Sequence, residues 1–381
     1  MPRERIIPYS NPNLLGGENP DFAVVEAIVA GNRGPCGGVN MTKEAGYQVL
    51  DLVDGREPVY TNWPLINNVP FMQEMESRGM ISVNNDWTQV PREAIVFFSA
   101  HGVPPSFHDI ARENEYTVID TTCQLVNRVH NLAKRGERNG QHIVYIGVDG
   151  HPETVGVMGE IKPENRTLIE KAEDVDGIIE KFVDGKAKFY EQKIEEEALK
   201  STAEYLGEEL LVLSQTTLST DEIRQTLQRI SERFPHAEIP NRWDICYATD
   251  NRQQAVDNLL PVIDLLMVVG SEKSHNSTML QHKALKAGIP AYLFDRAEKI
   301  KSEWFNQSIR RVGVTSGASV FEHYTNEVLQ LLTDRNIPVQ YQLPAAQEED
   351  MTFKLPIKDI ASLYRHLNSK YGDPLPTKSA V

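Results

Sequence analysis

Apolar, β-branched runs that stop abruptly at small, polar or histidine residues recur along the chain. One is Ala94-Ile95-Val96-Phe97-Phe98, ended by Ser99-Ala100-His101-Gly102. A second is Ile143-Val144-Tyr145-Ile146, ended by Gly147-Val148-Asp149-Gly150-His151-Pro152-Glu153. Leu210-Leu211-Val212-Leu213 before Ser214-Gln215-Thr216-Thr217, Leu265-Leu266-Met267-Val268-Val269 before Gly270-Ser271, and Arg311-Val312-Gly313-Val314-Thr315 before Ser316-Gly317-Ala318-Ser319 repeat the pattern. Short continuous apolar runs bounded by turn residues suit parallel strands buried on both faces. Between them, helical spacing of apolar residues predicts helices over 220–233, 251–260, 277–287 and 320–333. Alternating strand and helix means parallel α/β architecture, in which ligands bind beyond the carboxyl ends of the strands. Every polar cluster named above falls there.

The three cysteines divide this pattern. Cys36 precedes the strand at Val59-Tyr60-Thr61, with its Asn67-Asn68 end, and then His101. Cys123 precedes His151 and Glu153, then Thr216 and Thr217; Cys246 precedes Ser274 and Asn276, then Ser319. One cysteine and two polar strand ends per segment predict three similar lobes, residues 30–122, 123–242 and 243–335, set pseudo-threefold about a common centre. An acidic insertion is expected at about 185–209 in the second lobe. Residues 1–29 are expected to form an N-terminal extension, and 336–381 a Pro-rich, charged tail over the surface.

Composition narrows the partners. With 40% hydrophobic residues, the 381-residue chain can bury a sizeable core. Its formal charge of −15 argues against nucleic acid or an anionic membrane as partner, but not against a small anion held at helix N-termini. No run of 18 apolar residues is present, so no membrane span is expected. The start, Met1-Pro2-Arg3-Glu4-Arg5, lacks the features of a signal or transit peptide, and a cytoplasmic location is the expectation. Three widely separated cysteines do not form a disulfide framework.

Each cysteine stands at a turn-to-helix boundary: Gly34-Pro35-Cys36-Gly37-Gly38, Asp120-Thr121-Thr122-Cys123 and Asp244-Ile245-Cys246. A helix N-terminus favours the thiolate, the form that ligates metal. Converging from three lobes, three thiolates would leave a four-iron cluster with one iron lacking a protein ligand. Unrelated buried thiols and a mononuclear zinc site are the other readings. Among the remaining clusters, Glu153 can deliver protons and His151 can bind an anionic oxygen or relay protons. His101 has the same scope. Thr216 and Thr217 can bond a substrate hydroxyl or cap the following helix. Ser274-His275-Asn276-Ser277 and Ser319 form a candidate anion nest.

These motifs, together with Asn251-Arg252-Gln253 and Gly317-Ala318-Ser319, closely resemble in their order the 4-hydroxy-3-methylbut-2-enyl diphosphate reductases, the IspH/LytB family of the non-mevalonate isoprenoid pathway. The resemblance covers roughly residues 30 to 355. It implies three α/β lobes around a central [4Fe-4S] cluster on Cys36, Cys123 and Cys246, which reductively removes the hydroxyl of an allylic diphosphate as water. Products would be isopentenyl and dimethylallyl diphosphates. By resemblance Glu153 supplies protons with Thr216 assisting, and His101, His151, Ser274, Asn276 and Ser319 hold the diphosphate. A ferredoxin or flavodoxin would supply electrons, since the chain has no dinucleotide fingerprint.

The chain departs from the family at Asn67, where a diphosphate-binding histidine is usual, at Pro35 and at the Ser274-His275 pair. Asn67 donates a hydrogen bond without positive charge, which weakens anion binding by about 1–2 kcal/mol. His275 is the candidate replacement cation. These departures keep two alternatives open: a paralogue using the cluster as a non-redox dehydratase on another allylic or phosphorylated substrate, and a cluster or ligand sensor without turnover.

Overall fold

The computed structural model describes residues 24, 26–178, 209–218, 220–240, 245–306, 308–345, 347–349 and 351–372. Most of the expected N-terminal extension, the expected insertion except Glu209, Asp244 of the third cysteine motif and the last nine residues of the tail lie outside them. In chain order the strands are β1 (Glu26–Val29), β2 (Val59–Thr61), β3 (Met80–Ser82), β4 (Ile95–Phe98), β5 (Thr117–Asp120), β6 (His142–Ile146), β7 (Arg166–Ile169), β8 (Leu210–Ser214), β9 (Leu265–Val269), β10 (Ala291–Phe294), β11 (Arg311–Ser316) and β12 (Val339–Gln342). The helices are α1 (Gly37–Val53), α2 (Val69–Ser77), α3 (Pro105–Glu113), α4 (Gln124–Arg138), α5 (Pro152–Met158), α6 (Thr220–Arg233), α7 (Tyr247–Leu259), α8 (His275–Lys286), α9 (Glu322–Asp334) and α10 (Ile357–Tyr371). Among the described residues, short 3-10 turns complete the list.

The strands form three sheets, and every pairing within them is parallel. Two compact units contain them, residues 1–35 with 250–350 and residues 36–249 with 351–381. The first unit holds one five-stranded sheet, ordered β10-β9-β11-β1-β12. Its inner strand β9 shows why the sequence reads as a continuous apolar run. Leu265, Met267 and Val269 pack with Val312, Val314, Val328 and Leu332 on one face. Leu266 and Val268 pack with Val256, Leu280 and Ala284 on the other. With both faces covered there is no solvent side on which polar residues could alternate.

The second unit holds two sheets, β3-β2-β4-β5 and β7-β6-β8. In β6, Val144 and Ile146 face one cluster and Ile143 and Tyr145 another, so this sheet is also covered twice. Each cysteine precedes one sheet in sequence: Cys36 that of β2–β5, Cys123 that of β6–β8, Cys246 that of β9–β11.

Two stretches depart from expectation. Within residues 1–29, Glu26–Val29 forms β1 and lies inside the five-stranded sheet, Val29 opposite Val314. The tail supplies β12, the edge strand beside β1, and α10, which buries Leu363 and Leu367. Three apolar residues after a glutamate near an end, and a strand spelled Val-Gln-Tyr-Gln, are too short and too polar to stand out in a pattern search.

In the second unit α10 packs on β5 and α1. His366 Nε2 and Lys370 Nζ reach the Glu57 carboxylate at 3.3 and 2.7 Å. At the other end of α10 the half-buried Asp359 Oδ2 accepts the Asp120 backbone N–H at 3.0 Å. Burial raises the Asp359 pKa above 3.8, the Asp120 N–H opposes that rise, and the Asp120 carboxylate adds to it.

Leu363→Ala is expected to cost about 2–5 kcal/mol in denaturant unfolding, because the residue is fully buried. Because the folded state holds the Asp359 proton more tightly than the unfolded chain, stability falls as pH rises from 3.8 through the raised folded value. Asp359→Asn keeps an oxygen for the Asp120 N–H and removes the charge. Its melting temperature should therefore lose this dependence; an unchanged pH profile would refute the assignment.

Candidate functional site

Turn chemistry places the three thiols. Cys36 is the N-cap of α1, its Sγ accepting the Val39 N–H at 3.5 Å. Cys123 is the N-cap of α4, and Cys246 directly precedes α7. The backbone ties two of them to the polar strand ends. The Cys123 N–H donates to Ala100 O at 3.0 Å, next to His101, and the Cys246 N–H donates to Thr216 O at 2.8 Å.

The thiols lie close enough to feel one another. Burial pushes the Cys123 thiol up to about 12, and the charges of Cys36 and Glu153 add to the rise. Burial, followed by the charges of Cys36 and Cys123, also raises Cys246. The N–H groups of Leu125 and Val126 at α4, and of Ala248 and Thr249 at α7, pull the other way without prevailing. A Cβ on Gly38 would stand 2.9 Å from Cys123 Sγ and 4.0 Å from Cys36 Sγ, so only glycine leaves room between the two sulfurs. Among the described residues no three His, Cys, Asp or Glu side chains are gathered around a single ion position. Thiols that repel one another where three helices begin are ones that a cationic group would relieve.

Beside them lies a carboxylate. Glu153 is 1% exposed. Thr216 donates to both of its oxygens, the backbone N–H to Oε1 at 2.7 Å and the hydroxyl to Oε2 at 2.9 Å. His151 caps α5, its Nδ1 accepting the Glu153 N–H at 3.2 Å, which leaves the proton of the neutral ring on Nε2. The His101 ring stands edge-on to His151 at 5.6 Å, and burial pushes its pKa down to about 4, so it is neutral at pH 7.

Gln215, fully buried, holds this corner together. Its Oε1 accepts from the Val148 N–H at 3.0 Å and the Thr154 hydroxyl at 3.2 Å, and its Nε2 donates to Thr217 Oγ1 at 2.6 Å. Thr216 serves Glu153 and Thr217 serves Gln215. Asn68 is the N-cap of α2, and Asn67 is half-buried just before it.

In the first unit, Ser274 caps α8 and Asn276 lies in that helix's first turn. Both polar atoms of the Asn276 side chain are buried without a partner among the described residues. Any Cβ on Gly270 or Gly317 would strike Ser277, so glycines at the ends of β9 and β11 let α8 approach them. Ser319 follows β11, and His275 opens α8. Arg252, 1% exposed, donates to Gly34 O at 2.7 Å and to Glu349 at 2.8 Å. Its role in the Asn251-Arg252-Gln253 motif is to anchor the loop that leads to Cys36. Gln215, Arg252 and Gly38 were absent from the sequence-derived site. A polar residue at the inner end of an apolar run was the available signal for Gln215.

Comparison with known proteins finds the LytB protein family matching residues 27–333. A 4-hydroxy-3-methylbut-2-enyl diphosphate reductase from Acidithiobacillus ferrooxidans is 32% identical over 341 residues, 90% of this chain and 99% of the relative. One from Corynebacterium diphtheriae is 37% identical over 350 residues, 91% and 96% of the two chains. Among solved structures, the E-1-hydroxy-2-methyl-but-2-enyl-4-diphosphate reductase of Plasmodium falciparum superposes with a TM-score of 0.77 at 27% identity, covering 90% of this chain and 99% of that one.

Gln215→Leu strands the Thr154 hydroxyl and the Val148 N–H. Unfolding experiments should show a loss of about 1–3 kcal/mol for each buried group left unpaired.

Proposed function

The chain belongs to the LytB protein family, and from that premise we propose that it is a 4-hydroxy-3-methylbut-2-enyl diphosphate reductase. It reductively removes the substrate's hydroxyl at the close of the non-mevalonate isoprenoid pathway: the allylic alcohol, two electrons and two protons give the deoxygenated diphosphates and water. The observation that carries this reading is Glu153, a buried acid bonded at both oxygens by Thr216 and near enough to raise the Cys123 thiol. It puts a proton source beside the thiols.

Cys36, Cys123 and Cys246 would hold a [4Fe-4S] cluster. When bound, it would supply electrons singly and Lewis acidity toward the substrate hydroxyl. Everything else falls to side chains. Glu153 in its acid form protonates the departing oxygen, and the Thr216 hydroxyl steadies the carboxylate that remains. His151 offers its Nε2–H to an anionic oxygen. His101 enters as a neutral donor, and its basicity rises when a diphosphate approaches. Asn67, Thr217, Ser274, His275, Asn276 and Ser319 supply further donors, and the buried Asn276 amide nitrogen, without a partner among the described residues, gains one in the anion. A ferredoxin or flavodoxin delivers the electrons.

Purified without oxygen, the protein should be brown with about four irons per chain. It should convert 4-hydroxy-3-methylbut-2-enyl diphosphate only when a reductant is added. Turnover without reductant, or a colourless inactive product after iron and sulfide reconstitution, would overturn the reading. Glu153→Gln should keep its iron and lose about 100- to 10,000-fold in kcat. Asn67→His should tighten substrate binding by about 1–2 kcal/mol, read from the dissociation constant.

A further inference from the structure

One titratable side chain beside the Glu153 corner is used by none of the roles above. His130 lies on α4, seven residues after Cys123, and is 4% exposed. Its Nδ1 meets Glu160 Oε1 at 2.8 Å, just beyond the end of α5, and Lys134 Nζ reaches the same oxygen at 3.2 Å. Its Nε2 is buried with no hydrogen-bond partner among the described residues. A buried imidazole nitrogen without a partner is costly and calls for an explanation.

The explanation lies in what the ring edge touches. A Cβ on Gly102 would stand 2.7 Å from Nε2, and one on Gly156 would stand 3.3 Å from both Nε2 and Cε1. The same Cβ on Gly156 would be 3.5 Å from the Gly102 carbonyl carbon. Two backbones therefore close on one imidazole edge, each at a residue without a side chain. Gly102 adopts φ +79° and follows His101 directly. Gly156 lies on α5, three residues after Glu153 and five after His151. The ring thus fills the space between the loop of one histidine and the helix that carries the other histidine and the acid.

We propose that His130 is a positioning residue for the reductase reaction. Its imidazole, oriented by Glu160, sets the spacing between the His101-Gly102 loop and α5, and so between His101, His151 and Glu153. The Glu160 bond stops the ring from turning its edge away from the two glycines. Because α4 begins at Cys123, the same helix fixes this spacing relative to a thiol. The inference rests on the reductase reading for its kinetic consequences but not for its anion-binding consequence.

The test compares wild type, His130→Ala, Glu160→Gln and the double variant His130→Ala/Gly156→Ala. Iron content, kcat and KM with a chemical reductant, and the affinity of the cluster-free protein for inorganic pyrophosphate would be measured for each. His130→Ala should retain iron, weaken pyrophosphate binding severalfold and lower kcat by roughly 10- to 100-fold, the scale of a small misplacement of reacting groups. Adding Gly156→Ala should restore part of kcat, because its methyl enters the space the ring has left. Glu160→Gln preserves the packed volume and loosens only the orientation, so a severalfold loss in kcat is expected; this variant decides the matter if His130→Ala does not fold. Wild-type kcat, KM and pyrophosphate affinity in either single variant would overturn the proposal, even with a lowered melting temperature. If the wild-type protein itself does not reduce the diphosphate, the functional reading fails, and pyrophosphate binding alone then judges the role of His130.

Discussion

Three thiols close to one another repel once ionised, and burial makes the charges of Cys123 and Cys246 more costly still. The rise of Cys123 to about 12 and the rise of Cys246 express that conflict within the protein alone. Helix N-termini behind the sulfurs ease it only in part. A concentrated positive charge would resolve it, drawing off the protons and turning mutual repulsion into shared ligation. Much of the surrounding structure keeps the sulfurs in place despite their repulsion. Gly38 leaves room between two of them, the strand-end carbonyls of Ala100 and Thr216 fix two cysteine backbones, and in the other unit Arg252 anchors the loop leading to Cys36.

Around the thiols the protein relies on neutral donors more than on charge. His101 is held neutral by burial, His151 spends its Nδ1 on capping α5, and Thr216 gives both of its donors to Glu153. This restraint suits an acidic chain. Fixed cations near the thiols would be left unpaired whenever no anion is present, and burying an unpaired charge costs more than burying a bonded polar group. The carboxylate of Glu153 gains its place through hydrogen bonds instead, and His130 with Glu160 adds a wedge of fixed thickness beneath the same residues.

The parallel α/β class was legible because strands buried on both faces, such as β6 and β9, can only be spelled as unbroken apolar runs. That each cysteine stands where a helix begins was legible because a turn before a helix has its own signature. What escaped were pieces whose character depends on their neighbours. β1 and β12 are strands because a sheet stands beside them, and α10 is held by Glu57 and by the backbone of Asp120, more than 200 positions earlier in the chain. Gln215 and Arg252 were visible as letters, yet their buried bonds join segments far apart in sequence.

The sequence by itself determined the strand and helix alternation, the placing of polar residues at strand ends and the family to which those residues point. These are local properties, written in periodicity and in the order of motifs. Only the tertiary structure decided that Thr216 gives its donors to Glu153, that Cys36 lies close enough to raise the other two thiols, and that His130 closes the gap between two glycines. Such facts depend on ångström-scale distances between residues tens to hundreds of positions apart, and no pattern within a single stretch of chain encodes them.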